Sequence, residues 1–96
     1  MKRSGLAKVI RDALADFGGE TVVKAITWHL EHTRKMTLED IINRPDEFVS
    51  FLKDVYGSFE PMIERHIIDV ISRTYGIPPE RTLEDMLRKL REPQKG

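Results

Sequence analysis

The sequence predicts an all-α fold, and three observations predict it. Apolar residues recur at spacings of three and four along most of the 96-residue chain. Glycine and proline fall at the joints between these periodic stretches, where a helix must stop or start. The tetrapeptide Thr-Leu-Glu-Asp occurs twice, at 37–40 and 82–85, each time followed by two apolar residues. A threonine three positions ahead of an acid is the pattern of a capping box, in which both side chains satisfy backbone N–H groups at a helix start. The expected object is a compact single-domain bundle of five to six helices. Its ordered core should cover about 4–91, with 92–96 a frayed tail.

The first helix takes Leu6, Ile10, Ala13, Leu14 and Phe17 on one face, with Ser4 as its N-cap. Gly18 and Gly19 end it, because glycine enters the left-handed conformation without a side-chain penalty. The second helix should run over about 20–33, with Val22, Val23, Ile26 and Leu30 inward and Arg34 and Lys35 near its negative end. The first Thr-Leu-Glu-Asp then opens a short helix carrying Leu38, Ile41 and Ile42. Pro45 halts it, since proline disfavours helical geometry at Arg44. Pro45 itself suits the first turn of the next helix, which points Phe48, Phe51, Leu52, Val55 and Tyr56 inward and stops at Gly57. Ser58 caps the fifth helix, and Pro61 is tolerated in its first turn. There Phe59, Met62, Ile63, Ile67, Val70, Ile71 and Thr74 make an apolar arc, widened by Ile68 and Tyr75. An arc this wide predicts a central helix. Gly76 ends it, Ile77-Pro78-Pro79 forms a stiff turn, and the second Thr-Leu-Glu-Asp opens a last helix. That helix has Leu83, Met86, Leu87 and Leu90 inward and Arg88, Lys89 and Arg91 at its negative end.

A shift of 45 residues superimposes the two Thr-Leu-Glu-Asp boxes. It also pairs Leu6 with Phe51, Ile10 with Val55, Leu14 with Phe59, Phe17 with Met62, Val22 with Ile67, Val23 with Ile68 and Ile26 with Ile71. Two similar three-helix halves are one reading. The other is two like solutions to the problem of starting a helix, because amphipathic helices align easily with one another. Gly57 falls opposite Asp12 rather than opposite Gly18. Under both readings the repeated motif is a start signal and not an active site.

Composition narrows the function classes. With no cysteine, disulfides, thiolate metal sites and cysteine nucleophiles are excluded, and a reducing cytosol is the simplest compartment. No apolar run is long enough for a transmembrane helix, and the basic start lacks a signal-peptide core, so a cytoplasmic protein is expected. Asn43 and Gln94 are the only side-chain amides, and 33% of residues are charged, a pattern found in thermophile proteins. The net charge is zero but segregated: residues 1–35 carry +3, residues 36–72 carry −5 and residues 73–96 carry +2. Solvated helix faces account for such a pattern. So does self-association, with basic ends meeting an acidic middle. Nucleic-acid binding is not favoured, because phosphate recognition needs a concentrated excess of Lys and Arg.

Few residues combine into chemistry. His29 and His32 lie three apart on one helix, and His66 could complete a three-histidine zinc site. The pattern lacks a helical His-Glu-x-x-His, and surface or hydrogen-bonded histidines explain it more simply. Gly18-Gly19 ahead of a helix is not followed by Gly-Lys-Ser/Thr, so no phosphate loop is read. Ser4, Ser50, Ser58 and Ser72 sit in no nucleophile elbow. Asp12 and Asp16, Glu60 and Glu64, and Asp69 are read as solvated-face acids. No catalytic residue, metal, cofactor or small-molecule ligand is inferred. Trp28 stands out, because it lies off the Val22–Ile26–Leu30 stripe on a side shared with Thr21, Ala25 and His32. Either a second helix packs there or the side is exposed, and an exposed tryptophan beside small residues suits a partner interface.

The stretches Ala-Ile-Thr-Trp-His-Leu-Glu (25–31), Phe48 with Leu52 and Tyr56-Gly57, Ile-Glu-Arg-His-Ile-Ile (63–68) and Tyr75-Gly76-Ile77 resemble a group of small all-helical archaeal domains of unknown function. Some of these resemble output modules attached to regulatory proteins. The resemblance covers about residues 6–77. It rests on core and helix-end residues, so it implies a fold and an archaeal setting and carries no catalytic residue across. The expected function is a non-enzymatic interaction or regulatory module. It would work as a homodimer or with another protein, through Trp28, His32, Ala25 and Thr21. The alternative is a small DNA-associated regulator using the basic last helix. That reading is opposed by Glu84 and Asp85 in the first turn, where a recognition helix meets DNA.

Overall fold

The computed structural model describes residues 4–91, which contain helices and turns and no strand. The tail expected over 92–96 lies outside the described residues, as does the Ser4 side chain expected to cap the first helix. Helix α1 (Ser4–Ala15) buries Leu6, Ala7, Ile10, Ala13 and Leu14. A tight turn follows, with Asp16, Phe17 and Gly18 N–H groups bonding three residues back. Gly18 (φ 155°) and Gly19 (φ 75°) then reverse the chain. Helix α2 (Gly19–Arg34) buries Val23, Ile26 and Leu30.

Helix α2 closes on an unusual residue. Lys35 takes the left-handed conformation (φ 55°, ψ 43°), which glycine normally fills at a helix end. Arg44 helps to hold it there, donating to the carbonyls of Arg34 (3.0 Å) and Lys35 (3.2 Å). Replacing Lys35 with glycine relieves the side-chain clash and leaves those carbonyls in place. Lys35→Gly is expected to gain about 0.5–1 kcal/mol, the left-handed penalty less glycine's extra chain entropy. A urea melt with unchanged slope and a higher midpoint is the check.

The first Thr-Leu-Glu-Asp does not make the expected helix. It forms a single 3₁₀ turn (Leu38–Asp40), whose box closes when the Asp40 carboxylate accepts from the Thr37 N–H at 2.9 Å. The start signal works, but Pro45 leaves too little chain for another α-turn. Ile41 and Ile42 are still buried, together with Met36, so this connection contributes to the core. Helix α3 (Pro45–Tyr56) places Pro45 in its first turn and buries Phe48, Val49, Phe51 and Leu52.

A second 3₁₀ turn (Gly57–Phe59) links α3 to α4 (Glu60–Tyr75). Ser58 therefore caps nothing, because the chain never leaves helical geometry: Phe59, not Ser58, precedes α4 and is itself αR. Ile63, Ile67, Ile68 and Ile71 are buried on α4. Gly76 (φ 65°) ends the helix in left-handed geometry. The second Thr-Leu-Glu-Asp opens α5 (Leu83–Arg91), where the Thr82 hydroxyl accepts from the Asp85 N–H at 3.1 Å. One motif thus starts a 3₁₀ turn in one place and a full α-helix in the other.

Helix α4 is central, packing against α1, α3 and α5. It runs antiparallel to α1, since Gly5 lies beside Tyr75 and Asp16 beside His66. Helix α5 lies across α3 and α4 and buries Leu83, Met86 and Leu87. One contiguous core joins all these elements. The radius of gyration, 12.6 Å, is that of a compact chain of this length. The 45-residue pairing fails in side-chain detail: Ile10 and Leu14 are buried, whereas their counterparts Val55 and Phe59 are exposed.

Candidate interaction surface

Helix α2 turns two faces to different surroundings. Its Val23–Ile26–Leu30 stripe is in the core, and Thr21, Ala25, Trp28 and His32 are all exposed. Trp28 is 55% exposed. No second helix covers it among the described residues. Its ring is instead flanked by histidines of the same helix. His32 stacks on it at 3.9 Å between centroids and 20° between planes, and His29 meets its edge at 5.1 Å. The His32 Nδ1 lies 2.8 Å from the Trp28 carbonyl oxygen. A carbonyl only accepts, so Nδ1 carries the proton and Nε2 faces outward. The stack pre-orders the indole and removes some of the rotamer entropy that a partner would otherwise have to overcome.

The three histidines do not converge. His66 sits on α4, where its Nε2 donates to Asp16 at 2.7 Å and its ring meets Phe17 edge-on. Among the described residues no three His, Cys, Asp or Glu side chains come together as metal ligands.

A second apolar surface lies at the corner between α3 and α4. Val55, Phe59 and Met62 are 44%, 65% and 57% exposed. The sequence places all three inward, and the reason for the error is local. The 3₁₀ turn at 57–59 changes the angular step per residue from 100° to 120°. Counting at helical spacing from the buried side of α3 therefore loses phase across it.

The converse error is Glu60. Read as a solvated acid, it is 3% exposed, and its Oε2 has no hydrogen-bond partner. Burial pushes its pKa up to about 7, the adjoining Glu64 carboxyl pushes the same way, and Lys53 opposes both. The signal was present in the sequence. Glu60 continues the Ile71, Ile67, Ile63 stripe back by one more turn, so the core period reaches it. Glu64 is engaged as well, accepting from the Leu83 N–H at 2.8 Å and so capping α5 from α4. The Tyr56 hydroxyl is buried without a partner, and burial raises its pKa.

The remaining concavity is a cleft of about 320 Å³ at the start of α3, lined by Asn43, Arg44, Pro45, Asp46, Glu47, Arg88 and Arg91. Its charges largely answer one another. Arg44 pairs with Glu47 at 2.7 Å, and Arg88 with Asp46 at 2.8 Å. The Arg44 hydrogen bond holds the Glu47 carboxyl below its usual range, whereas Asp46 pushes Glu84 upward. Arg88 also lies near Glu84 and Asp85, and Lys89 bonds Glu80 at 2.9 Å. Two of the basic side chains of α5 are therefore already paired with acids. Among the described residues no helix is long and apolar enough to cross a membrane. Comparison with protein-family models, with curated proteins and with solved structures gives no match.

Proposed function

We propose that this chain is a non-enzymatic interaction or regulatory module that acts by pairing with a second copy of itself or with another protein. The observation that carries the proposal is Trp28. It is a large aromatic, more than half exposed, pre-ordered by His32 and set among the small side chains of Thr21 and Ala25. Tryptophan buries more area than other side chains and dominates many interfaces. Exposed Phe59 and Met62 add a second apolar surface. The proposal extends to a cytoplasmic setting in a thermophilic archaeon, which composition and the resemblance to small archaeal domains support. The DNA-binding alternative loses ground because Arg88 and Lys89 are paired with acids of the same chain.

Sedimentation over a wide concentration range tests the pairing. The expected result is a species heavier than the 11.2 kDa monomer that dissociates on dilution, and loss of that species in Trp28→Ala. If Trp28→Ala leaves mass, stability and partner capture all unchanged, the α2 surface is wrongly assigned. Phe59→Ser tested alongside separates the two apolar surfaces.

A further inference from the structure

Two carboxyls occupy adjacent turns on one side of α4 and do different work. Glu60 is buried, and one of its oxygens has no partner. Glu64 is half-exposed and spends an oxygen on the Leu83 N–H, at the first residue of α5. The carboxyls are close enough to share a hydrogen bond. Two carboxylates cannot share one without a proton between them, because each ionised group only accepts. Around the pair, Lys53 on α3 is the one opposing charge that bears on Glu60 among the described residues. Tyr56, also on α3, brings a buried hydroxyl. From α5 come the Leu83 N–H, through Glu64, and Glu84, which lies beyond Lys53 and beside Asp46. Asp16 and His66, between α1 and α4, pair with each other.

We propose that Glu60 and Glu64 form a proton-operated latch on α5. With one proton between them, Glu60 donates to Glu64, and Glu64 is held where it caps the Leu83 N–H. When the proton leaves, a buried carboxylate faces a second one a single helical turn away. Glu64 is the member of the pair that can move, because part of it already meets solvent. Its departure leaves the Leu83 N–H without its acceptor. The remaining contacts of that first turn are then Asp85 N–H to the Thr82 hydroxyl and Met86 N–H to the Thr82 carbonyl. The buried Leu83, Met86 and Leu87 keep α5 on the core, so the latch governs local opening of the first turn and not release of the helix.

Amide hydrogen exchange on the full chain at pH 5.5 and pH 8.5, corrected for intrinsic chemistry, reads this directly. The probes are Leu83, Asp85 and Met86, with Ile10 and Leu14 of α1 as the internal reference. Opening of the α5 probes is expected to rise at least fivefold relative to α1 at the higher pH. Glu60→Gln, which keeps a donor toward Glu64, is expected to hold the low-pH ratio throughout. Glu64→Gln keeps an acceptor for Leu83 and removes the repulsion, so it too should flatten the response. An equal rise in α1 and α5 would mean a global pH effect and would overturn the latch. So would a ratio that does not change with pH, or a wild-type response persisting in both variants.

Discussion

Gly18→Ala is expected to lower stability by about 3 kcal/mol, the sum of two independent penalties. The first is conformational. Gly18 sits at φ 155°, ψ 8°, a combination closed to residues with a side chain. The second is steric. A Cβ built there falls 2.2 Å from Val22 Cγ2 and 3.1 Å from Val22 Cβ. Val22 is on the first turn of α2 and packs against the core, so it cannot simply swing away. Moving Gly18 instead would disturb the reversal that lays α2 on α1. For a domain of this size such a loss lowers Tm by roughly 10–20 °C.

The two penalties can be separated. Val22→Ala removes the Cγ atoms that the new methyl would meet, while the backbone strain remains. In the Gly18→Ala, Val22→Ala double variant about half of the loss should therefore disappear, measured against Val22→Ala alone. Full additivity of the two single changes would show that the methyl and Val22 never meet and would refute the steric half. Gly19→Ala makes a useful contrast. Its φ is 75°, but nothing lies within 4 Å of the added methyl, so it should show the strain without the clash.

The contrast also marks what could be read from the sequence. Gly18-Gly19 was legible as a helix stop because glycine at a helix end has one dominant use. The identity of the clash was not, since it depends on where Val22 points after the reversal. The buried stripes of α1, α2 and α5 were legible for the same physical reason: uninterrupted 3.6-residue periodicity over two or more turns. Legibility failed at 3₁₀ turns. The turn at Gly57–Phe59 shifted the phase, exposed Val55, Phe59 and Met62, and made Ser58 look like a cap. Lys35 was read as a charge suited to the helix end, whereas its backbone conformation is the notable feature. Of the candidate surface, the exposed membership of Thr21, Ala25, Trp28 and His32 followed from angular position alone. The stacking of His32 on Trp28 did not, because spacing places two side chains on one face without fixing their rotamers.

Glu60 gives the second large effect, and its sign is opposite to that of an ordinary salt-bridged acid. Its folded-state pKa is raised by burial to about 7, above the ordinary carboxyl value of 4.5, so the folded chain binds more protons than the unfolded one between those values. The protonated carboxyl sits in the core at little cost below about pH 4.5. As pH rises through 7 it must either ionise in place or stay protonated against the solution, and stability falls. The expected loss between pH 5 and pH 8 is about 2 kcal/mol, or a Tm drop of roughly 10 °C. Glu84, raised by its hydrogen bond to Asp46, pulls in the same direction. Glu47, lowered by Arg44, works the other way and loses its contribution only as pH falls into the carboxyl range. Glu60→Gln removes the main ionisation while keeping shape and a donor for Glu64. The variant should therefore be more stable than the parent at pH 8, nearly equal to it at pH 5, and flat between. A parent whose stability rises from pH 5 to pH 8 would mean that Glu60 is ionised in the folded chain, with Lys53 outweighing its burial.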